Sequence, residues 1–512
     1  MDTHELDLWL AAACLILLAA VVGVRLAMKT GLPTMLLYLA IGLVVGEAGL
    51  GFEFSDAELT RNLGLFALAL ILAEGGLTTR WQNVRPSLGF AILLSTLGVA
   101  VSVFVVAIGA RFLLGFDNQE ALLLGAVVSS TDAAAVFSVL RNMRLPRPLV
   151  SILEAESGFN DAPVVILVTL VSSDAWTTTS VWHSLGQIVF ELFVGAVVGL
   201  AIGWAGTQVL SRSSLPAAGL YPLTTLAMAF LSYSAAGLLH GSGFLAVYLT
   251  ALWIGNAALP HRRATLAFAE GAAWLAQIGL FVLLGLLASP ARLPEALLPA
   301  LFAGFVLTFL ARPLSVALSA LPFRWGWREQ LFLSWAGLRG AVPIVLATIP
   351  LTSELAGAQR IFDIVFVLVV VYTLVQGPTL PLVAGRLRLT AAMTTRELTV
   401  DAAPLDEMHA ELLELEVPKG SHLHGVTIDE LRLPTGATVT LVVREDRSFM
   451  PEHWLRIRAG DQILIVVTDG MRAAVEARLL AIHESGRLAG WVTPVGGVTS
   501  SHWLTRLRRI IR

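Results

Sequence analysis

The feature that most limits the possible folds is a long series of apolar segments. A helix needs about 20 mainly apolar residues to cross the hydrocarbon core of a bilayer. Thirteen segments of about this length lie at residues 7–28, 32–50, 62–78, 88–114, 120–140, 150–172, 184–211, 221–239, 243–258, 265–288, 296–320, 328–349 and 361–385. The series predicts an all-α polytopic membrane protein with about 13 transmembrane helices.

The composition supports this class and argues against others. Charged residues make up only 14% of the chain and hydrophobic residues 56%, whereas a soluble domain carries about 25% charged residues. A formal net charge of −3 argues against a nucleic acid as partner. We find no pairing of a nucleophile with a base and no cluster of metal ligands, so we predict neither an enzyme nor a bound cofactor.

Basic residues alternate along the loops and predict the orientation in the membrane. Loops after odd-numbered segments carry fourteen of them: Arg25, Lys29, Arg80, Arg85, Arg141, Arg144, Arg147, Arg212, Arg262, Arg263, Arg324, Arg328, Arg386 and Arg388. Loops after even-numbered segments carry four: Arg61, Arg111, Arg292 and Arg360. Because basic loops stay in the cytoplasm, we predict a plasma (inner) membrane protein with its N-terminus outside and its C-terminus inside.

Two of the segments combine polar or charged side chains with residues that weaken helices. Segment five contains Ser129-Ser130-Thr131-Asp132, and segment twelve contains Gly337-Leu338-Arg339-Gly340 followed by Pro343. A charge at the centre of a bilayer costs at least about 2.5–3.5 kcal/mol, so it indicates a function. Transporters use broken helices to present backbone carbonyls to ions. The two segments occupy matching places in the groups 4–6 and 11–13, which favours an inverted repeat.

The character of the chain changes near residue 390. Residues 412–417, 437–443 and 461–467 are typical of strands, and residues 425–431 of a short helix capped by Thr427. We therefore predict a transmembrane domain at 1–390, a small α+β cytoplasmic domain at 400–490 and a basic amphipathic tail at 500–512. The tail suits anionic membrane lipids, and packing on the cytoplasmic domain is an equal alternative.

Four motifs occur in the order in which a known family has them. They are Thr131-Asp132, Glu156-Ser157-Gly158-Phe159-Asn160-Asp161, His240-Gly241-Ser242-Gly243 and Gly337-Leu338-Arg339-Gly340. With them, about residues 7–390 resemble the NhaP-type monovalent cation/proton antiporters of the sodium/proton exchanger superfamily. The C-terminal part resembles the RCK-C (TrkA-C) domain, which within this family accompanies potassium/proton exchange. The resemblance implies an antiporter that works by alternating access and forms a homodimer.

The resemblance also implies which residues hold the transported cation. The implied ligands are the carboxylates of Asp161 and Asp132, the Ser157 hydroxyl and the Thr131 main-chain carbonyl, with Glu156 close by through water. Oxygen atoms are the ligands that hard alkali cations prefer. Asp161 would be the carboxylate that binds either the cation or the proton.

Two further residues are implied to tune the charge of the site. Asn160 and Arg339 would orient Glu156 and neutralise its charge. The residues leave alternatives open: Asp132 could cap a broken half-helix, Glu156 with Arg339 could be a structural ion pair, and Asp161 could be structural. Because residue 160 is neutral, a single exchanging carboxylate would trade one proton for one cation, an electroneutral exchange.

The nature of the cation and of any regulator stays open at this point. We favour K⁺ by analogy, with Na⁺ as the alternative, and the C-terminal domain could bind a nucleotide or a cyclic dinucleotide. The alternative function is an RCK-gated cation channel. Such channels use a Thr-Val-Gly-Tyr-Gly-like filter of backbone carbonyls, and no such run occurs in this chain.

Overall fold

A computed structural model describes residues 3–389 and 410–486, except 31–32, 48, 50, 52–53, 133–142, 144, 174–175, 177, 214, 258–259, 324, 419, 445–446 and 469–470. The chain divides into two compact units, Met1–Met393 and Thr394–Arg512. We describe each unit separately.

The first unit consists of helices. They are α1 (Thr3–Thr30), α2 (Thr34–Val45), α3 (Ala57–Thr78), α4 (Trp81–Leu113), α5 (Asn118–Ser129), α6 (Arg147–Val171), α7 (Val181–Arg212), α8 (Leu220–Leu238), α9 (Gly243–Gly255), α10 (Arg262–Leu287), α11 (Leu293–Ala320), α12 (Trp327–Trp335), α13 (Ala341–Thr352) and α14 (Ala358–Arg386). Each of the thirteen apolar segments overlaps one of these helices, and segment twelve overlaps both α12 and α13.

Six helices within the described residues are long and apolar enough to cross a membrane, namely α3, α4, α7, α10, α11 and α14. Shorter apolar helices include α2, α9 and α13. Helices α5, α6 and α12 are in neither group, and polar or charged motif residues lie in them or next to them. A multi-pass membrane protein is thus supported, and the count of thirteen crossings stays a prediction.

Helices α2 and α10 show how closely the backbones in this unit approach each other. A Cβ atom added at Gly42 would lie 2.9 Å from the Cα of Gly285, so both positions need a residue without a side chain. Small residues allow this approach in membranes, where dispersion contacts replace the hydrophobic effect as the main attraction between helices. Around such contacts, large side chains including Phe281, Phe332 and Phe362 fill a buried core.

The end of α5 in segment five meets the break in segment twelve, and we call this contact the crossing. Helix α5 ends at Ser129, and Ser130 is extended (φ −67°, ψ 146°). Residues 336–340 separate α12 from α13. The Asp132 amide donates to the Leu338 carbonyl (3.1 Å), so the two non-helical stretches lie side by side. The predicted break in segment twelve is therefore observed. In segment five the helix ends at Ser129, and residues 133–142, directly after Asp132, lie outside the described residues.

The second unit contains a small antiparallel sheet. Its elements are β1 (Ala410–Glu416), β2 (Ala437–Arg444), β3 (Arg447–Phe449), β4 (Gln462–Thr468) and α15 (Arg472–Ser485), with the strand order β1-β4-β2-β3. Alternate residues Ile463, Ile465 and Val467 of β4 point into a core shared with Val475 and Leu479 of α15. The three predicted strands are confirmed, whereas β3 and α15 were not predicted.

The predicted short helix in this unit is wrong in part. Only Asp429–Leu431 form a helical turn, of the 3₁₀ type. Thr427 does not cap it through its side chain; instead, its amide donates to Glu430 Oε2 (2.9 Å) and the residue forms a bridge with Arg456. The predicted tail at 500–512 lies outside the described residues.

A buried ion pair connects two strands of this sheet. Asp461 is 1% exposed and accepts hydrogen bonds from Arg444 Nε and Nη2, both at 2.7 Å, and from the Arg458 amide at 2.7 Å. Burial alone would raise the pKa of Asp461, but these hydrogen bonds and the positive charges of Arg444 and Arg458 bring it below its usual value. The Asp461 carboxylate is therefore ionised, and in this form it stabilises the turn before β4.

Candidate functional site

The crossing of the two broken segments places opposite charges at the ends of two half-helices. The Asp132 carboxylate accepts a hydrogen bond from the amide of Ala341, the first residue of α13 (2.7 Å). Arg339 Nε donates to the Val128 carbonyl in the last turn of α5 (3.0 Å). A helix carries partial positive charge at its N-terminus and partial negative charge at its C-terminus. Asp132 thus neutralises the partial positive charge at the N-terminus of α13, and Arg339 the partial negative charge at the C-terminus of α5.

Gly340 makes this arrangement possible. A Cβ atom added there would collide with the Asp132 carboxylate, whose Cγ would lie 2.7 Å away. The capping alternative for Asp132 is therefore observed: the residue caps a half-helix, although that half-helix belongs to segment twelve.

Helix α6 is attached to the break in segment five through side chains. Asn160 Nδ2 donates to Thr131 Oγ1 (2.5 Å), and Thr131 Oγ1 lies 3.2 Å from Ser157 Oγ. All three residues are at most 1% exposed. Asn160 therefore positions Thr131, and the structure corrects the prediction that Asn160 orients Glu156.

Asp161 and Asp132 line one small cavity. Its other walls come from α3, α10 and α13, with Gln277 the one uncharged polar side chain among them. The cavity volume is about 10 Å³, which is close to the space that one water molecule requires. Asp161 is 3% exposed, and its Oδ1 atom has no hydrogen-bond partner among the described residues. A buried carboxylate oxygen without a partner is costly, and a bound cation or proton would remove that cost.

Glu156 points elsewhere and has a partner that was not predicted. Its two carboxylate oxygens accept from Arg312 Nη1 (2.5 Å) and Nη2 (3.1 Å). Both side chains are at most 5% exposed. Five residues correspond to about 140° around a helix, so Glu156 and Asp161 face different sides of α6. The structure thus corrects the prediction that Arg339 forms the direct pair with Glu156.

Arg339 donates to backbone carbonyls at the crossing instead, those of Val128 and Gly337. Arg312 is the residue that sequence reasoning missed. It lies inside the apolar segment 296–320, between Ala311 and Pro313. A cation in such a segment requires a counter-charge, and that signal was available in the sequence.

The site therefore contains two carboxylates on one cavity, a pair of hydroxyl groups that joins Thr131 to Ser157 of α6, and a neutral buried ion pair between Glu156 and Arg312. Discontinuous helices that cross around buried carboxylates define the class of secondary transporters with broken helices. The fold and the site place this protein in that class.

Comparison with known proteins identifies the family. Residues 16–385 match the sodium/hydrogen exchanger transmembrane family, and residues 412–480 match the TrkA-C domain. The chain belongs to the sodium/hydrogen exchanger family and carries a C-terminal TrkA-C domain.

Curated relatives match over nearly the whole chain. A protein of Shewanella baltica named K(+)/H(+) antiporter NhaP2 is 35% identical over 93% of this chain and 83% of its own length. One of Alkalimonas amylolytica named K(+)/H(+) antiporter NhaP is 35% identical over 90% and 82%. The solved structure of the sodium proton antiporter MjNhaP1 from Methanocaldococcus jannaschii covers 76% of this chain and 100% of its own, with a TM-score of 0.66 and 23% identity. That likeness shows a shared fold.

Proposed function

We propose that this protein exchanges an alkali cation for a proton across the membrane, and that Asp161 binds the two in turn. The observation that carries the proposal is the cavity shared by Asp161 and Asp132, together with the absence of a hydrogen-bond partner for Asp161 Oδ1 among the described residues. Either a proton or a cation supplies the missing partner. Because both occupy the same oxygen, binding of one excludes the other.

The proposal takes the remaining ligands from the resemblance to the family. Asp132 contributes the second of the two carboxylates that line the cavity. Ser157 contributes its hydroxyl and Thr131 its main-chain carbonyl. Glu156 would act only at a distance, because Arg312 occupies both of its oxygens. These are oxygen ligands, which suit Na⁺ and K⁺.

The charges buried at the site favour exchange of one cation for one proton. Three carboxylates and two guanidinium groups are at most 4% exposed there: Asp132, Glu156, Asp161, Arg312 and Arg339. With all five ionised, the site carries one net negative charge, which one cation or one proton neutralises. The loaded site is then neutral in both directions of transport, so exchange moves no net charge.

Potassium is the favoured cation, with sodium as the alternative. The relatives of Shewanella baltica and Alkalimonas amylolytica are named K(+)/H(+) antiporters. A relative of Aphanothece halophytica, 29% identical over 71% of this chain, is named Na(+)/H(+) antiporter ApNhaP. The proposal includes a homodimer in the inner membrane with the C-terminus in the cytoplasm, and the TrkA-C domain as a regulator that binds a nucleotide or cyclic dinucleotide.

Proton flux in proteoliposomes tests the exchange. We expect a K⁺ or Na⁺ gradient to drive counter-flow of protons that saturates with cation concentration. Asp161→Asn should abolish this flux while the protein remains folded. Glu191→Gln is the matched control, because Glu191 lies on α7, bonds Gln187 (2.9 Å) and does not line the cavity, so that variant should keep its activity.

Two results would contradict the proposal. One is near-normal cation-driven proton flux in Asp161→Asn. The other is cation flux in the unmodified protein that needs no counter-proton and does not saturate, which is the behaviour of a channel.

A further inference from the structure

A second, much larger cavity lies on the side of α6 that faces away from Asp161. Its volume is about 730 Å³ and its walls come from α4, α6, α7 and α9. Phe159 and Pro163 line it, and both lie two residues from Asp161, which places them on the opposite side of the helix. This cavity is therefore separate from the cation site.

The walls of the cavity are apolar along most of their length. Leu88, Leu200, Leu249 and Trp253 contribute to them. Asn256 is the amide at one end, and its polar atoms already have partners: it accepts from the Trp81 amide (2.8 Å) and donates to the Thr79 carbonyl (2.9 Å). A cavity of this kind excludes water and suits hydrocarbon.

Two arginines without a counter-charge among the described residues lie close in sequence to Trp81, at the same end of the cavity. Arg80 and Arg85 are exposed, and neither side chain forms an ion pair or hydrogen bond within the described part of the chain. Arg85 follows the cavity residue Trp81 by four positions and precedes the cavity residue Leu88 by three. Residues at these spacings share one face of a helix, so we infer that Arg85 lies beside the cavity, next to the residues that line it.

Two tryptophans indicate where this end of the cavity lies in the bilayer. Trp81 begins α4, Trp253 lies in the last turn of α9, and both are exposed in part. Tryptophan is enriched where the hydrocarbon core meets the headgroups. The arginine distribution predicts that this end of α4 and α9 faces the cytoplasm, where the anionic lipids of the inner leaflet lie.

We propose that this cavity binds one anionic phospholipid of the inner leaflet, with an acyl chain between α4, α6, α7 and α9 and the phosphate on Arg85. The chain fills apolar space next to Phe159 and Pro163, and the guanidinium gains the counter-charge that the described residues do not supply. The proposal does not depend on the cation that is transported or on the role of Asp161.

Lipid binding to the purified full-length protein tests the charge. The protein is reconstituted in nanodiscs of phosphatidylcholine with increasing phosphatidylglycerol, and lipid retained after extraction is counted by native mass spectrometry. Arg85→Gln should lower the preference for phosphatidylglycerol by about fivefold, which corresponds to the ~1 kcal/mol that one arginine contributes near anionic lipid. Arg212→Gln is the matched control, an exposed arginine at the predicted cytoplasmic end of α7 away from the cavity. Equal loss in both variants would mean general surface attraction and would overturn the proposal.

Filling the cavity tests the place of the acyl chain. Ala196 on α7 lines the cavity, whereas its neighbour Val197 is 50% exposed and does not. Ala196→Phe should reduce retained phosphatidylglycerol severalfold and Val197→Phe should leave it unchanged. If Ala196→Phe keeps the lipid, the cavity does not hold it. If that variant keeps the lipid and changes the mass of the particle in solution, a second copy of the chain covers the cavity instead; either result overturns the proposal.

Discussion

Removing Arg312 should destabilise this protein far more than removing any exposed arginine. Arg312→Met deletes both hydrogen bonds to Glu156, at 2.5 and 3.1 Å, and leaves a carboxylate that is 2% exposed without its partner. Breaking a buried ion pair by removing one partner costs about 3–5 kcal/mol, because the remaining charge stays buried. We expect a loss of that size in the free energy of unfolding.

The double variant separates the energy of the contact between Arg312 and Glu156 from the effects of losing each side chain alone. Arg312→Met with Glu156→Leu removes both charges, and replacement of a buried pair by apolar residues is often neutral or stabilising. The double variant should therefore be more stable than either single variant. The difference from additivity, a coupling of at least about 2 kcal/mol, measures the contact itself.

Unfolding in mixed micelles, followed by circular dichroism, gives these free energies. Arg61→Met is the control, because Arg61 also contacts a carboxylate, that of Glu58 at 3.8 Å, but the Glu58 side chain is 74% exposed and stays in water when Arg61 is removed. Exposed pairs contribute about 0–1 kcal/mol, so this variant should be close to the unmodified protein. The reasoning fails if Arg312→Met loses no more stability than the control, or if the costs of the two single substitutions simply add.

The structure leads us to expect four further outcomes. Gly340→Ala should abolish exchange, because the added methyl group displaces the Asp132 carboxylate from α13; an active variant in the proton-flux assay would contradict this. The exchange rate should not change when valinomycin clamps the membrane potential during sodium/proton exchange, and a clear dependence would exclude one-for-one exchange. Because the folded pKa of Asp461 lies below its usual value, its contribution to stability is present above about pH 4 and is lost as the pH falls through the folded pKa; Asp461→Asn should remove this acid dependence from the limited proteolysis of residues 410–486. Truncation before Ala392 should leave exchange intact and change its pH or ligand response, and a folded but inactive truncated protein would assign the tail an essential role.

The parts of this fold that depend on local sequence could be predicted. Apolar length determines where the helices lie, and polar residues with glycine determine that α5 ends at Ser129 and that segment twelve breaks at residues 336–340. The strands β2 and β4 arise from short β-branched runs, and β1 from an alternation of leucine with glutamate. Turns bound these runs, and the turn before β4 contains Gly460 at φ +88°. Each of these signals acts within a few residues of the element it specifies.

The pairing of charges could not be predicted in the same way. Glu156 and Arg312 are 156 residues apart, and whether Glu156 meets Arg312 or Arg339 depends on how α6 is rotated against α11 and the crossing. The sequence places all three charges in apolar surroundings and requires that they be compensated. The sequence does not show how the helices pack, and this packing decides which arginine pairs with Glu156. Helix α15 was missed although its signal was local, since Val475, Leu479 and Ile482 recur at helical spacing.

The crossing of the broken helices has a consequence for how the chain is made. Its two reciprocal contacts, Asp132 with Ala341 and Val128 with Arg339, join residues that are 209 and 211 positions apart. Until segment twelve leaves the ribosome and enters the bilayer, the end of α5 has neither contact, and uncompensated polar groups in hydrocarbon are costly. The N-terminal half therefore cannot complete its own interior during synthesis. Chains that terminate before residue 339 should be substrates for membrane quality control, even though most of their helices are already inserted.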